Sequence, residues 1–252
     1  MKSPRLTLVG AGPGDPDLIS MKGVKALQTA NVVLYDALVH PDLLNYVPHD
    51  AQKIFVGKKK GVCQFPQEEI NRLIVDCALN YGHVVRLKGG DPFIFGRGHE
   101  EMLFAQSFKI PVEVVPGISS SIAVPELQHI PLTRRGINDS FWVLTGTTSE
   151  HKLSEDIKIA AQSKATVVIL MGMSKLAEIS QLFASYGRQN TPVAIIQNGS
   201  WENEKMVIGD IASIVEKVEE QKIGSPAIIV IGEVVSLHPD FVLHKIAQLK
   251  NQ

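Results

Sequence analysis

The sequence predicts an α/β protein made of two α/β domains. Segments with strand-like and helix-like patterns alternate from residue 5 to residue 231. Near the middle, Pro116, Gly117 and a run of three serines interrupt this alternation. The length of 252 residues corresponds to one large or two modest domains, at about 150 residues per domain. We therefore expect an N-terminal domain at residues 1–117 and a C-terminal domain at residues 118–252.

The N-terminal half begins with a β-α-β pattern and continues to alternate up to residue 115. Short apolar runs rich in β-branched residues predict the strands, and apolar residues at helical spacing predict the helices. Because the two kinds of element alternate, we expect a largely parallel sheet. The predicted strands are residues 5–9, 32–35, 53–56, 84–87 and 112–115, and the predicted helices are 18–30, 67–80 and 98–108.

The C-terminal half resumes the alternation after residue 140. A last helix is predicted to begin at Asp210, a candidate N-cap. Its apolar face would consist of Ile211, Ile214, Val215 and Val218. The other predicted elements are strands at residues 141–145, 166–170, 193–196, 206–208 and 227–231, and helices at 153–161 and 175–186.

The composition excludes several classes of protein. The chain has 25 basic and 26 acidic residues, a net charge of −1, which argues against a general nucleic-acid binder. No apolar run approaches the roughly 20 residues of a membrane span, and no export signal is recognisable. Cys63 and Cys77 have neither disulfide nor zinc-site spacing, and the histidines show no ligand pattern. We expect a reduced, cytoplasmic protein without a metal and without membrane or nucleic-acid partners.

A glycine-rich loop, GAGPGD at residues 10–15, follows the first predicted strand. Its position suits a dinucleotide fingerprint, and Asp36 lies at the end of the next strand. Two details disagree: Asp15 would repel a pyrophosphate, and Pro13 lacks an N–H donor. A structural turn and a site for another nucleoside ligand both remain open. S-adenosylmethionine fits the second of these, because it contains adenosine but no phosphate.

A second glycine-rich loop, GGDPFIFGRG at residues 89–98, leaves the carboxyl end of a predicted strand. Open α/β sheets bind ligands at that edge, and adjacent glycines allow a ligand to approach the backbone closely. The alternative is a tight structural loop in which Phe93 and Phe95 pack into the core.

Ten sequence motifs resemble those of a known protein family: VGAGPGDPDLIS, VVLYDALV, VGKKKG, QEEIN, VVRLKGGDPFIFGRG, VVPGIS, IPLTRR, MGM, NGS and GSPAIIVIGEVV. Together, over about residues 5–241, the chain resembles the uroporphyrinogen-III C-methyltransferases of the tetrapyrrole methylase superfamily. The resemblance implies two α/β domains with the active site in the cleft between them. It also implies that S-adenosylmethionine donates two methyl groups to uroporphyrinogen III, giving precorrin-2 for sirohaem and cobalamin.

The resemblance also assigns cofactor-binding positions. Taken alone, Met171 could equally be a core residue. The implied cofactor residues are Pro13, Gly89, Gly90, Asp91, Ile94, Ser119, Ser120, Met171, Gly199 and Ala227.

For catalysis, the resemblance places the proton acceptor at Asp36 and the proton donor at Lys58, and implicates Arg97 and Glu100 in turnover. Which of the four removes the proton stays open, and Asp36 alone could be a turn cap. An electron-rich pyrrole carbon attacks the sulfonium methyl group, so positioning and one general base suffice, without a metal.

The implied substrate carries eight carboxylates, so cations should surround it. Lys59, Arg134 and Arg135 are the candidate substrate-binding residues, together with the other lysines of the 58–60 triplet. The alternative for that triplet is a solvated loop. Cys63 stands where relatives often carry a histidine, Arg134–Gly136 replaces a commoner His-Arg-Asp, and His99 replaces a commoner glycine.

The resemblance further implies a homodimer and an enzyme without the dehydrogenase and ferrochelatase domain of fused sirohaem synthases. Three alternatives remain at the sequence level. They are a methylase of a later precorrin, an NAD-dependent oxidoreductase that uses the first loop, and a non-catalytic S-adenosylmethionine-responsive binding protein.

Overall fold

The computed structural model describes residues 3–57, 65–148 and 150–242. The chain divides into two compact units, with the boundary between Ser119 and Ser120. Each unit is built around its own five-stranded sheet, so the α/β class predicted from the alternation is confirmed. No helix within these ranges is long and apolar enough to cross a membrane.

The first unit contains an all-parallel sheet in the order β3-β2-β4-β1-β5. The predicted parallel sheet is therefore confirmed, with every strand bound within one residue of its prediction. Single-turn or two-turn 3-10 helices occupy Pro16–Leu18 and Pro41–Tyr46. The strands are β1 (Arg5–Gly10), β2 (Val32–Tyr35), β3 (Gln52–Phe55), β4 (His83–Lys88) and β5 (Val112–Val115), and the helices are α1 (Met21–Gln28), α2 (Gln67–Tyr81) and α3 (Gly98–Ser107).

Two apolar clusters lie on the two faces of this sheet. Because side chains alternate along a strand, Leu6 and Leu8 of β1 pack with Ile74 of α2 in one cluster, while Val9 packs with Leu27 of α1 in the other. The sheet is thus covered on both faces, as a parallel sheet requires.

The strand order places a crossover reversal at the centre of the first unit. From β1 the chain passes β4 to reach β2, whereas from β4 it passes β1 to reach the edge strand β5. The loops that leave the neighbouring strands β1 and β4 therefore lead in opposite directions. In open α/β sheets such a switch point opens a crevice at the carboxyl edge, where ligands bind.

The second unit contains a mixed sheet in the order β6-β7-β10-β8-β9. β6 and β7 are parallel, while the other three pairings are antiparallel. The seven residues between β8 and β9 are too few for a parallel crossover, so the chain reverses there. The strands are β6 (Phe141–Thr145), β7 (Thr166–Leu170), β8 (Pro192–Gln197), β9 (Lys205–Asp210) and β10 (Ala227–Ile231), and the helices are α4 (Ser120–Leu127), α5 (Asp156–Ala160), α6 (Leu176–Ser185) and α7 (Ile214–Glu220).

Two features of the second unit differ from the sequence predictions. Asp210 does not begin a helix: it ends β9, and its carboxylate accepts hydrogen bonds from Ser213 N (3.1 Å) and Ser213 Oγ (2.7 Å). It caps the turn before α7 and not α7 itself. The helix α4 was not predicted, because it contains Pro125, which removes one helical N–H donor. Burial of Ala123 and Val124 compensates for that loss.

Candidate active site

Three glycine-containing loops meet at the carboxyl edge of the parallel sheet. They follow β1, β4 and β5 and bring Gly10, Gly90 and Gly117 into backbone contact. A Cβ atom at Gly10 would lie 2.7 Å from the Gly90 carbonyl oxygen, and one at Gly117 would lie 2.6 Å from Gly10 Cα. Real Cβ atoms almost never approach that closely, so this junction has room only for glycine.

The first and second loops are joined by two backbone hydrogen bonds. Gly12 N–H donates to Gly90 C=O at 3.2 Å, and Gly90 N–H donates to Gly12 C=O at 2.7 Å. Both donors are therefore used within the protein. The first loop also does not open an α-helix, since α1 begins only at Met21, with Ser20 Oγ as its cap. The loop instead leads into the three-residue 3-10 helix Pro16–Leu18, whose start is capped by the Asp15 carboxylate. Because a pyrophosphate site needs free amides at an α-helix N-terminus, this geometry does not support the dinucleotide interpretation.

Asp91 holds the second loop in shape and ties it to the third. Its Oδ1 accepts hydrogen bonds from Phe93 N at 2.8 Å and Ile94 N at 3.2 Å. Its Oδ2 accepts one from Gly117 N at 3.1 Å. The predicted cofactor residue Asp91 thus fixes the backbone on which the neighbouring cofactor candidates lie.

The second loop presents apolar side chains at the surface. Phe93, Ile94 and Phe95 are 45%, 46% and 44% exposed, so the alternative that the two phenylalanines pack into the core is wrong. Gly90 has a φ of +68°, and a Cβ atom there would have nothing within 4 Å. An approachable backbone beside an apolar rim fits the adenosine and methionine parts of S-adenosylmethionine.

Asp36, the candidate proton acceptor, follows β2 at the same edge. Its Oδ1 accepts a hydrogen bond from Leu38 N at 3.1 Å, and its Oδ2 accepts one from Gly89 N at 3.3 Å. The Arg86 guanidinium lies 3.7 Å from Oδ2. The carboxylate is thereby attached to the start of the second loop.

A buried group of charges lies behind this loop. Arg86 and Lys88 of β4 both contact Glu101 of α3, with Arg86 Nε at 3.2 Å and Lys88 Nζ at 2.9 Å from Glu101 Oε1. Burial lowers the pKa of Lys88, and the neighbouring Arg86 lowers it further, while Glu101 opposes both effects.

Arg97 and Glu100 form an exposed bidentate pair at the start of α3. Arg97 Nε donates to Glu100 Oε1 at 2.8 Å, and Arg97 Nη2 donates to Oε2 at 2.7 Å. The hydrogen bond from Arg97 lowers the pKa of Glu100, which weakens this carboxylate as a base. Arg97 itself has a φ of +60°, a left-handed backbone that costs energy outside glycine.

In the second unit, three predicted cofactor residues share one edge of the sheet. Met171 follows the end of β7, Gly199 follows the end of β8, and Ala227 starts β10, which runs antiparallel to both. Met171 is 54% exposed, so it is not a core residue. A Cβ atom at Gly199 would lie 2.5 Å from Val124 Cγ2 of α4, the helix that starts at the candidate Ser120.

Arg134 and Arg135 lie at the opposite end of β7. Arg134 N donates to Asn138 Oδ1 at 2.9 Å, and Asn138 Nδ2 donates to Thr166 Oγ1 at 3.0 Å. Thr166 is the first residue of β7, while Met171 follows its last. The structure therefore does not bring these arginines to the edge that carries Met171, and their role in substrate binding stays a prediction.

Two candidates, Lys58 and Lys59, lie outside the described residues, as does Cys63. Ser119, another cofactor candidate, is buried four residues beyond the end of β5, and Pro13 lies in the first loop. Within the described ranges, no cluster of histidine, cysteine, aspartate and glutamate could hold a metal ion.

Comparison with known proteins identifies the family. Residues 5–215 match the family described as Tetrapyrrole (Corrin/Porphyrin) Methylases. The chain belongs to the tetrapyrrole methylases.

Individual relatives of this tetrapyrrole methylase agree with that placement. A uroporphyrinogen-III C-methyltransferase from Methanocaldococcus jannaschii is 47% identical over 92% of this chain and 97% of its own length. A siroheme synthase from Photorhabdus laumondii is 45% identical over 98% of this chain but only 51% of its own, so the chain spans about half the length of that relative. A uroporphyrin-III C-methyl transferase from Thermus thermophilus, solved with S-adenyl homocysteine, is 38% identical, with a TM-score of 0.80 and coverage of 92% and 99%.

The sequence analysis did not identify the buried Arg86, Lys88 and Glu101 of this tetrapyrrole methylase as functional residues. One feature of the sequence does indicate that two of these charges are buried. Arg86 and Lys88 occupy alternate positions of the otherwise apolar run VVRLK, so both side chains point to one face of a buried strand. Buried cations need an anionic partner, but the sequence does not show that α3 supplies it.

Proposed function

We propose that this tetrapyrrole methylase is an S-adenosylmethionine-dependent C-methyltransferase that adds two methyl groups to uroporphyrinogen III and gives precorrin-2. The observation that carries the proposal is the 47% identity to the M. jannaschii uroporphyrinogen-III C-methyltransferase, which extends over 97% of that protein. The T. thermophilus structure with S-adenyl homocysteine supports the choice of methyl donor. Sirohaem is one proposed destination of the product, since siroheme synthases are among the relatives, and cobalamin is the other.

The proposed cofactor site uses the loops at the carboxyl edge of the first sheet, with contributions from the second unit. When bound, S-adenosylmethionine supplies an electrophilic methyl group on a sulfonium ion. Gly89 and Gly90 offer backbone without side chains, Ile94 offers an apolar contact, and Asp91 keeps the loop in shape. The remaining proposed cofactor residues are Pro13, Ser119, Ser120, Met171, Gly199 and Ala227.

Asp36 is the proposed proton acceptor. Two backbone amides and the Arg86 guanidinium hold its carboxylate, so it is oriented before substrate binds. Arg97 holds Glu100 in a bidentate pair and lowers its pKa, which makes Glu100 the weaker candidate base. The proposal also includes Lys58 as the proton donor. It assigns the binding of substrate carboxylates to Lys59, Arg134 and Arg135.

The proposal includes a homodimer located in the cytoplasm, with a tetrapyrrole as its small-molecule partner and no nucleic-acid or membrane partner. Sedimentation equilibrium of the purified chain tests the dimer: a mass of twice 27.5 kDa is expected. A single-chain mass at micromolar concentration would contradict it.

An anaerobic methylation assay tests the activity. Purified protein is incubated with uroporphyrinogen III and methyl-labelled S-adenosylmethionine. The product is then oxidised, and its molecular mass is measured by mass spectrometry. We expect a gain of two methyl groups. S-adenosylmethionine binding without transfer would favour a later-precorrin methylase or a binding protein, and absence of both would overturn the proposal.

The variant Asp36→Asn separates the effect on catalysis from the effect on cofactor binding. Asp36→Asn keeps the size of the side chain and one oxygen acceptor but removes the base. We expect S-adenosylmethionine affinity to change less than threefold, whereas turnover should fall by about 10²- to 10⁴-fold, the usual contribution of general base catalysis.

A further inference from the structure

A group of four charged side chains links α3 to the candidate base Asp36. Lys88 and Arg86 lie two residues apart on β4 and therefore point to the same face of the sheet. Glu101 of α3 lies over that face. The three residues are only 4%, 4% and 1% exposed, respectively, so these charges have almost no contact with solvent.

One carboxylate oxygen of Glu101 receives all the hydrogen bonds. Oε1 accepts from Gln67 Nε2 at 3.2 Å, from Arg86 Nε at 3.2 Å and from Lys88 Nζ at 2.9 Å. The second oxygen, Oε2, is buried and has no hydrogen-bond partner in the part of the chain that the structure describes. A buried polar atom without a partner costs free energy.

The Arg86 guanidinium spans the distance from Glu101 to Asp36. Its Nε contacts Glu101 Oε1, while its Nη1 donates to Leu87 C=O at 2.9 Å and lies 3.7 Å from Asp36 Oδ2. The charge of Asp36 also acts on Lys88. The four side chains thus form one electrostatic unit.

We propose that Lys88 and Glu101 are positioning residues that, through Arg86, hold Asp36 in place and balance the charge around it. The inference rests on the proposed function, because it assigns a purpose to charges that surround the proposed proton acceptor. Replacing buried ion pairs by apolar residues is often neutral or stabilising, so stability alone does not account for their presence.

The charges of the unit cancel when all four groups are ionised. Asp36 and Glu101 carry one negative charge each, and Arg86 and Lys88 carry one positive charge each. The charge of Lys88 also contributes to lowering the pKa of Glu100 of α3. In the loop after β2, His40 lies beside Asp42. Glu100, His40 and Asp42 are left unchanged in the variants, and Lys58 lies outside the described residues.

Removing the charge of Lys88 or of Glu101 should change the electrostatic potential at the Asp36 carboxylate in a defined direction. Lys88→Met removes a cation, so Asp36 should hold its proton more tightly and titrate at higher pH. Glu101→Gln leaves two cations facing Asp36, so Asp36 should titrate at lower pH. The double variant is again neutral and should return close to the unsubstituted chain. The direction of each change follows from the sign of the charge that is removed.

The first test measures Asp36 directly and does not depend on activity. The full chain is labelled with ¹³C at aspartate carboxyl carbons, and the Asp36 signal is assigned by its loss in Asp36→Asn. We expect the midpoint to move upward in Lys88→Met and downward in Glu101→Gln, and to recover in the double variant. Shifts below 0.3 pH unit, or shifts in the same direction for both variants, would overturn the proposal.

If Lys88→Met does not fold, Lys88→Gln replaces it, since glutamine removes the same charge and keeps a donor for Glu101. Lys205→Met serves as the matched control, because this exposed lysine lies on β9 in the other unit. The control should leave the Asp36 midpoint unchanged.

The second test is the pH dependence of kcat/KM for methyl transfer. The acid limb should shift in the same directions as the NMR midpoints, and the double variant should recover the original profile. NMR shifts with an unmoved acid limb would overturn Asp36 as the base but leave the electrostatic unit intact. An inactive unsubstituted chain would overturn the proposed function while the NMR result still decides the inference.

Discussion

At the scale of single residues, Asp91 affects the candidate cofactor site through the backbone. The sequence places it within the motif GGDPFIFGRG, which predicts a contact with the ligand. In the structure, both of its carboxylate oxygens accept hydrogen bonds from backbone amides of residues 93, 94 and 117. Its contribution is therefore the shape of two loops.

Asp91→Ala should weaken S-adenosylmethionine binding by at least tenfold, because the second loop loses three hydrogen bonds. The free energy of unfolding should fall by about 0.5–1.5 kcal/mol, the usual net contribution of a hydrogen bond, because two of the three donors lie at exposed residues. Isothermal titration calorimetry and urea unfolding measure the two effects. Asp91→Asn keeps an oxygen at the Oδ1 position and should retain more affinity; equal affinity for the two variants would contradict this role.

At the scale of secondary-structure elements, the sequence predicts what depends on local pattern. The apolar runs predicted β2, β5, β6, β7 and β10 with the bounds that the structure shows, because apolar runs of four or five residues bounded by polar or turn residues are characteristic of buried strands. The start of α1 was predicted too early, because Pro16 opens a separate 3-10 helix capped by Asp15. Short capped turns and amphipathic helices give similar patterns in sequence.

The junction of the glycine loops depends on strand order, which the sequence did not supply. Gly10, Gly90 and Gly117 are each ordinary loop glycines in the sequence. They meet only because β4 and β5 both lie beside β1. In the same way, Arg86 and Glu101 were not predicted to meet, since their contact requires α3 to pack over β4.

Gly117→Ala should separate the loops that follow β1 and β5. Its Cβ would lie 2.6 Å from Gly10 Cα, and backbone atoms cannot move aside without displacing the loops. We expect S-adenosylmethionine affinity to fall by at least tenfold while the circular dichroism spectrum stays unchanged. Gly224→Ala is the matched control, because the nearest atom to its Cβ would be Gln197 Nε2 at 3.5 Å, an ordinary contact; a loss of affinity in the control would contradict the explanation.

At the scale of the whole molecule, the candidate cofactor residues that follow or start strands lie at one edge of each sheet, and structural polar groups lie at the other. In the first unit, the loops after β1, β2 and β4 carry the candidate residues, while His83 lies at the amino end of β4. In the second, Met171 follows β7, while Asn138 binds Thr166 at the start of that strand. In the parallel sheet of the first unit, this edge consists of the carboxyl ends of the strands, where the α/β rule predicts ligand binding.

His83 makes the stability of the protein depend on pH. The ring is 5% exposed, and burial lowers its pKa, assisted by the positive charge of Arg5. Nδ1 lies 2.9 Å from Thr29 C=O, and Nε2 lies 2.9 Å from Thr7 Oγ1, both within hydrogen-bond distance. A charged ring fits this site poorly, since Arg5 Nη2 lies 3.1 Å from Nδ1.

Because the pKa of His83 is lower in the folded chain than in the unfolded chain, protonation favours unfolding. The stabilisation is complete above the ordinary histidine pKa of 6.5, and it is lost progressively as the pH falls below that value. The carboxylates with lowered pKa, Glu100 and Glu113, lose their contributions only below their ordinary value of 4.5. The range from pH 7.5 to pH 5.5 therefore isolates the histidine contribution.

His83→Gln should be less stable than the unsubstituted chain at pH 7.5, by about 1–3 kcal/mol, because glutamine cannot keep both hydrogen bonds. Between pH 7.5 and pH 5.5 the variant should lose less stability than the unsubstituted chain, since the titrating group is gone. Urea unfolding at a series of pH values measures both effects. His49→Gln, at an exposed position, should follow the unsubstituted chain, and equal pH dependence in His83→Gln would show that another group causes the loss.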